Sequence, residues 1–179
     1  KRVKSEENMA KKLLVVVDMQ NDFVNGVLGT KEARSIVGNV QERIRVAREQ
    51  GEEIIFTRDT HTENYLKTQE GRNLPVPHCV IGSHGWDLAE GIEFAGAKVI
   101  DKPSFGSIEL GSYAAKNGYD GIELIGVCTD ICVLSNALIL KAFCPETEIS
   151  VRENCCAGVT PERHKTALEA MSACQIKIV

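Results

Sequence analysis

The sequence has no apolar run that approaches the roughly 20 residues a membrane-spanning helix requires. It also lacks internal repeats, low-complexity tracts and any Pro/Gly/Ser-rich linker, so its 179 residues point to one domain. Neither sign of charge is in marked excess, since 21 basic residues face 25 acidic ones and the net charge is −4. This balance gives no electrostatic footprint for nucleic acid or an acidic membrane, and we expect neither as a partner.

The first ten residues are polar and lack the apolar stretch of a signal peptide. We expect residues 1–10 to form an N-terminal extension, with Met9 as the candidate natural start, and residues 11–179 to form the domain. The chain has seven cysteines. An odd count in a chain of this length argues against a secreted disulfide framework and favours a reducing compartment, so we expect a cytoplasmic protein with a reactive or metal-bound thiol.

Apolar segments alternate with segments of helical spacing along the chain. The predicted strands are Leu13–Asp18, Glu53–Thr57, Ala97–Asp101, Gly121–Val127, Glu148–Arg152 and Ile176–Val179. The predicted helices are Val37–Gln50, Ile108–Asn117, Asp130–Phe143 and Pro161–Cys174. This alternation predicts an α/β protein: a single-domain, three-layer Rossmann-like fold with a six-stranded, mostly parallel sheet flanked by helices.

Chemically useful side chains follow four of these strands, and ligands of parallel sheets bind at the carboxyl ends of the strands. Asp18, Lys102 and Cys132 come after three of the strands, and the pair Asp59 and His61 comes after a fourth. A thiol near the start of a helix has its thiolate stabilised by the helix dipole and by free backbone N–H groups, and a nearby lysine adds to this. A carboxylate can carry the proton between the thiol and a leaving group, so the pattern predicts a cysteine nucleophile.

Three segments at these strand ends resemble the signatures of the isochorismatase-like cysteine hydrolases. They are DMQNDF, which begins at Asp18, DKPSF, which begins at Asp101, and GVCTDICV, which begins at Gly126. Within that superfamily the chain most resembles the nicotinamidases. The resemblance implies hydrolysis of a small amide, nicotinamide, to nicotinic acid and ammonia through a thioester, a role in NAD salvage, and assembly into a homo-oligomer.

The resemblance also implies roles for single residues. The catalytic triad maps to Asp18, Lys102 and Cys132. The backbone N–H groups of Cys128 and Cys132 form the oxyanion hole, and a cis peptide bond precedes Cys128.

A metal site is implied by the same resemblance, with Asp59, His61 and His78 as ligands. Glu70 is the candidate fourth ligand, and Glu63 or water molecules are the alternatives. Imidazole and carboxylate ligands suit several divalent transition metals, and we expect Zn²⁺ first, with Fe²⁺ or Mn²⁺ as alternatives.

Four further residues are candidates for the substrate pocket. Phe23 and Phe105 closely follow the triad positions Asp18 and Lys102 and could stack on a flat aromatic substrate, although core packing is equally compatible with their positions. Gln20 and Trp86 are also assigned to the pocket. Asp130, in contrast, is expected to be the N-terminal cap of the helix that carries the predicted nucleophile.

Three alternative functions stay open at this point. The first is a related cysteine hydrolase that acts on another small amide or on an N-carbamoyl or ureido compound. The second is an isochorismatase-type enol-ether hydrolase, which would need no metal. The third is a flavodoxin-like binding module without catalysis, which would leave the common location of the acid, the lysine and the thiol unexplained.

Overall fold

The structure is a computed structural model that describes residues 10–179. Its strands are β1 (Lys12–Val17), β2 (Glu53–Asp59), β3 (Lys98–Lys102), β4 (Gly121–Val127), β5 (Glu148–Ala157) and β6 (Lys177–Ile178). Its α-helices are α1 (Asn21–Val24), α2 (Lys31–Glu49), α3 (Gln69–Asn73), α4 (Ile108–Asn117), α5 (Leu134–Phe143) and α6 (Pro161–Ala173). A 3₁₀ turn at Tyr65–Lys67 and a π-helix at Thr129–Val133 complete the elements.

The six strands form one sheet in the order β3-β2-β1-β4-β5-β6, and every neighbouring pair is parallel. The predicted α/β architecture is therefore confirmed, with a sheet that is parallel throughout. From β1 the chain moves to β2 on one side, whereas β4 pairs with β1 on the other side. This reversal leaves a crevice at the carboxyl ends of β1 and β4, which is where ligands bind in sheets of this kind.

Strand β1 lies in the middle of the sheet and contributes to both hydrophobic cores. Leu13, Val15 and Val17 face the core that is covered by α4, α5 and α6, whereas Leu14 and Val16 face the core that is covered by α2. A strand that is buried on both faces needs apolar residues at successive positions, which explains the run LLVVV.

Helix α2 begins at Lys31, six residues before the predicted start at Val37. The side chain of Thr30 accepts a hydrogen bond from the N–H of Ala33 and caps the helix. Ala33 and Ile36 are buried, so they extend the apolar face of α2 towards its N-terminus. The prediction stopped short because polar residues separate these two positions.

Strand β5 continues to Ala157, five residues beyond the predicted end at Arg152. An irregularity in the pairing of β4 with β5, between Leu124 and Gly126, shifts the register and lets the strand resume after its exposed middle. The resumed part pairs Cys156 with Gly126 and brings the end of β5 beside the end of β4.

Two further predictions concern the ends of the chain and membranes. The predicted N-terminal extension, residues 1–10, lies outside the described residues except for Ala10 and stays a prediction. Within residues 10–179, no helix combines the length and the hydropathy that crossing a bilayer requires.

Replacing Gly126 by alanine tests how closely the backbones of β1 and β4 approach each other. Its φ is +117°, and an added Cβ would lie 2.9 Å from the backbone carbonyl carbon and nitrogen of Val17. We expect Gly126→Ala to lower the free energy of unfolding by about 3 kcal/mol or more, because two backbones would have to separate. Denaturant unfolding followed by circular dichroism measures this loss.

The matched control is Gly38→Ala in α2, where the added Cβ meets no atom within 4 Å. We expect this variant to gain up to about 1 kcal/mol from the higher helix propensity of alanine. Equal stability of the two variants would contradict the close contact between β1 and β4.

Candidate active site

The three predicted triad residues lie together, buried, at the carboxyl edge of the sheet. The Nζ of Lys102 lies 2.6 Å from Oδ2 of Asp18 and 3.4 Å from Sγ of Cys132. The ammonium also donates to the carbonyl of Ser104 at 3.1 Å. The other carboxylate oxygen of Asp18 accepts a hydrogen bond from the hydroxyl of Thr57 at 2.7 Å. Thr57 belongs to β2 and had not been predicted as part of the site.

The ion pair and the thiol differ in how burial affects their protonation. Burial is the largest single effect on Lys102 and would lower its pKa, but the neighbouring anionic groups, Asp18 foremost, together outweigh burial and raise that pKa, so the ammonium stays charged. Burial raises the pKa of the Asp18 carboxyl against the opposing charge of Lys102. Burial also raises the pKa of the Cys132 thiol well above its ordinary value, and the neighbouring Asp18 adds to this shift.

The raised pKa of Cys132 differs from the expectation that the helix start and Lys102 would favour a thiolate. Cys132 is the fourth residue of the π-helix rather than its first, and its side chain is buried. Desolvation of the anion therefore outweighs the attraction of the ammonium. The resting group is therefore a neutral thiol.

The segment before the thiol has the predicted cis peptide bond, which joins Val127 and Cys128. The predicted capping role of Asp130 is not seen. Its Oδ1 accepts a hydrogen bond from the N–H of Val159 at 3.1 Å, and its Oδ2 lies 2.6 Å from Nε of Arg163. Asp130 thus joins the π-helix to the β5–α6 connection. It is the second residue of the π-helix, and Cys128 occupies the capping position.

Four potential metal ligands converge beside the ion pair. One ligand atom from each of Asp59, His61, Glu70 and His78 lies within 4.8 Å of the others. The two Nε2 atoms of the histidines lie 2.9 and 3.2 Å from Oδ2 of Asp59 and 3.6 and 3.7 Å from Oε1 of Glu70. Glu63, the alternative fourth ligand, is exposed and does not belong to this group.

The hydrogen bonding of His78 fits a metal ligand. Its Nδ1 lies 2.7 Å from the carbonyl of Val76, a contact that requires a proton on Nδ1. In the neutral ring this leaves the lone pair of Nε2 directed at the carboxylates of Asp59 and Glu70. A cation between these three groups removes that repulsion, so the donor set suits a divalent metal.

Two residues that had not been predicted support these ligands. The ring of Tyr65 packs against the imidazoles of His61 and His78, with centroid distances of 4.7 and 5.0 Å. Oδ2 of Asp22 accepts a hydrogen bond from the N–H of Cys79, the residue after His78, at 2.8 Å. The only available signal for Asp22 was its place in the DMQNDF segment.

Two of the four predicted pocket residues support the site without lining a cavity. The amide of Gln20 is fully buried; it accepts from the N–H of Asp59 at 2.8 Å and donates to the carbonyls of Asp59 and Trp86. Trp86 donates to the hydroxyl of Thr60 at 2.9 Å, and its ring stacks on the guanidinium of Arg58. These contacts direct both side chains into the protein around β2 rather than towards a substrate.

The predicted nucleophile and three of the four potential metal ligands, Asp59, Glu70 and His78, open onto one small cavity of about 260 Å³. Phe23 and Phe105 both line it, as predicted for the pocket. The complete lining is Phe23, Leu28, Thr30, Ala33, Asp59, Glu70, Leu74, His78, Phe105, Cys128, Ile131, Cys132, Ala157, Gly158, Val159 and Arg163. A larger groove of about 500 Å³ lies at the amino ends of β1, β4 and β5 and contains none of the predicted site residues.

A sequence profile of the isochorismatase domain matches residues 12–179, which is nearly the whole chain. The chain belongs to the isochorismatase family. The family assignment agrees with the predicted resemblance, and it makes the protein a hydrolase of this family.

Solved structures of isochorismatase-family enzymes have the same fold. Pyrazinamidase of Pyrococcus horikoshii, in complex with zinc, is 32% identical, with coverage of 94% of this chain and 98% of that one and a TM-score of 0.78. Pyrazinamidase/nicotinamidase from Streptococcus mutans is 26% identical, with coverage of 94% and 100% and a TM-score of 0.84. N-carbamoylsarcosine amidase from Thermoplasma acidophilum is 27% identical, with coverage of 94% and 95% and a TM-score of 0.77.

The convergence of the two imidazoles predicts a metal affinity that depends on each of them. We expect His61→Ala to lower the affinity for zinc more than about 100-fold, because a ligand is lost while the carboxylates remain. The control is His84→Ala, since His84 is exposed and lies outside the ligand group. Elemental analysis after dialysis, with chelator competition, measures the affinity; equal zinc retention by both variants would remove His61 from the site.

Proposed function

We propose that the protein is a metal-dependent cysteine amidohydrolase that hydrolyses nicotinamide to nicotinic acid and ammonia. One observation carries the proposal: Cys132, Asp59, Glu70 and His78 line the same small, mainly apolar cavity. A cavity of this size suits one flat ring with one amide group. The Pyrococcus relative is named a pyrazinamidase and the Streptococcus relative a pyrazinamidase/nicotinamidase, and both names support nicotinamide as the substrate.

Asp59, His61, His78 and Glu70 would bind the metal, with zinc favoured by the mixed imidazole and carboxylate donors and by the zinc complex of the Pyrococcus relative. When bound, the metal would supply a Lewis acid for the ring nitrogen of the substrate, while Cys132 faces the same cavity. Fe²⁺ and Mn²⁺ are compatible with the same donors. Phe23 and Phe105 lie where they can cover the faces of the ring.

The first half of the proposed reaction forms a thioester. Asp18 accepts the proton of the Cys132 thiol, and Sγ forms a bond to the amide carbon. The N–H groups of Cys128 and Cys132 stabilise the oxyanion of the tetrahedral intermediate. Asp18 then returns the proton to the amide nitrogen, the C–N bond breaks, and ammonia leaves a thioester on Cys132.

The second half restores the thiol. Asp18 takes a proton from a water molecule, whose oxygen attacks the thioester carbon. The C–S bond breaks, the proton returns to Sγ, and nicotinic acid leaves. Lys102 keeps its charge throughout and stabilises the anionic forms of both Asp18 and Cys132 at the short distances seen in the resting site.

A second candidate is a hydrolase of N-carbamoyl compounds, favoured by the likeness to the N-carbamoylsarcosine amidase of Thermoplasma acidophilum. An isochorismatase-type enol-ether hydrolase is less well supported, because it gives no reason for the converging ligands around Asp59. A role in NAD salvage, a cytoplasmic location and a homo-oligomeric state belong to the nicotinamidase proposal and stay predictions.

The proposed function is tested by ammonia release from nicotinamide, pyrazinamide and N-carbamoylsarcosine. We expect the two heterocyclic amides to be the preferred substrates. Removal of metal with a chelator should abolish their hydrolysis, and added Zn²⁺ should restore it. Preferential release from N-carbamoylsarcosine would favour the second candidate, and activity that persists in metal-free protein would contradict metal dependence.

The nucleophile is tested by comparing two cysteine variants. We expect Cys132→Ala to lower kcat for nicotinamide by at least about 10⁴-fold, because no thioester can form. Its metal content should stay that of the unmodified protein. Cys174→Ala is the control, because Cys174 is exposed and away from the cavity. Normal turnover by Cys132→Ala would make the nucleophile assignment wrong.

A further inference from the structure

The cavity has charged side chains at two places. Asp59 and Glu70 line it at the potential metal site, and Arg163 lines it at the start of α6. Among residues 10–179, Arg163 is the one lysine or arginine in the lining. No motif had pointed to Arg163, and the proposed reaction gives it no part.

The charge of Arg163 is compensated by Asp130. Their Nε and Oδ2 atoms are 2.6 Å apart, and the Asp130 side chain is only 7% exposed. The other carboxylate oxygen of Asp130 accepts a hydrogen bond from the N–H of Val159 at 3.1 Å, which holds the carboxylate independently of Arg163. The fixed member of the pair is therefore the anion, whereas the guanidinium side chain is 56% exposed.

A substrate with its amide carbon at Cys132 could extend in either of two directions. In one direction a substrate carboxylate would meet Asp59 and Glu70, whose two charges equal that of a bound divalent ion. In the other direction it would meet Arg163, whose charge is already matched by Asp130. The cavity therefore offers no uncompensated cation to a carboxylate, and a carboxylate that loses its water without a partner is strongly disfavoured.

We propose that Asp130 is a specificity-determining residue, which compensates Arg163 and so makes the cavity select uncharged amides over amides that carry a carboxylate. The inference rests on the proposed amidohydrolase function and narrows its substrate class. Under this proposal the cavity favours nicotinamide and similar neutral amides over ureido acids and N-carbamoyl amino acids, which carry a carboxylate. Asp130 acts through Arg163 and takes no part in bond breaking.

Asp130→Asn is the decisive variant. Its side-chain oxygen can still accept the N–H of Val159, but the charge that compensates Arg163 is lost. Asp130→Ser also lacks the charge and provides a second variant if the first folds poorly. Arg163→Gln in the Asp130→Asn background removes the freed cation and is the matched control. Thermal unfolding of each variant verifies that it is folded.

The probes are pyridine-3,5-dicarboxamide and 5-carbamoylnicotinate, which have nearly the same shape but differ by one negative charge. Hydrolysis of one amide of the first compound yields the second compound and ammonia. The unmodified protein should stop after one equivalent of ammonia. The Asp130→Asn and Asp130→Ser variants should proceed towards two equivalents of ammonia, because Arg163 is then free to form an ion pair with the carboxylate of 5-carbamoylnicotinate.

The proposal is tested by a selectivity ratio, which is kcat/KM for 5-carbamoylnicotinate divided by kcat/KM for the diamide. A general loss of activity lowers both values and cancels in this ratio. We expect the ratio to rise about tenfold in Asp130→Asn, as for one partly exposed charge-assisted contact. The rise should appear mainly in KM, and the double variant should return to the original ratio.

Two results would overturn the proposal: an unchanged ratio in both single variants, or an equal rise in the double variant. Failure of the proposed function has a different signature, which is absence of ammonia from both nicotinamide and the diamide. In that case calorimetric titration of zinc-loaded protein with the two probes measures the same selectivity without turnover, and the same two patterns of result apply.

Discussion

A buried ion pair between Lys102 and Asp18 is the interaction on which the rest of the site depends. Both side chains are fully buried, and a charge buried without its partner would cost several kcal/mol, of the order of 3–5. Lys102 ends β3 and Asp18 follows β1, so the lysine side chain passes the end of β2 to reach its partner. Its Nζ therefore also lies 3.8 Å from Oδ1 of Asp59, and one cation connects the acid, the thiol and the potential metal site.

Burial is the main reason that the thiol is neutral at rest, and the ion pair adds to it. A lone lysine beside Cys132 would favour the thiolate, but the charge of Lys102 is largely matched by Asp18. In the proposed reaction Asp18 accepts the thiol proton, so the negative charge moves between two groups that lie beside the same ammonium. The total charge of the buried cluster does not change during that transfer, so no additional charge has to be stabilised inside the protein.

Much of the site follows from the sequence because parallel strands bring their carboxyl ends to one edge. That rule is enough to gather Asp18, Asp59, Lys102 and Cys132 without any knowledge of the loops. Residues whose roles depend on contacts between loops could not be predicted in the same way. Arg163 is an example, since it comes to the cavity only because β5 continues past its exposed middle and places α6 beside the π-helix. Gln20 and Trp86 had been assigned to the pocket from proximity in sequence, but a buried amide and an indole N–H are directed by hydrogen-bond partners that no local pattern reveals.

The order of the strands places two groups of site residues on opposite sides of β1. The potential metal ligands come from the β2 side, with Asp59, His61, Glu70 and His78 all within one stretch of chain, whereas the nucleophile of the proposed reaction comes from the β4 side. The two sides meet at the central strand, at the ion pair at its end and in the small cavity that both of them line. In the proposed reaction, a change confined to residues 59–78 would therefore alter how a substrate is held and would leave Asp18, Lys102 and Cys132 in place.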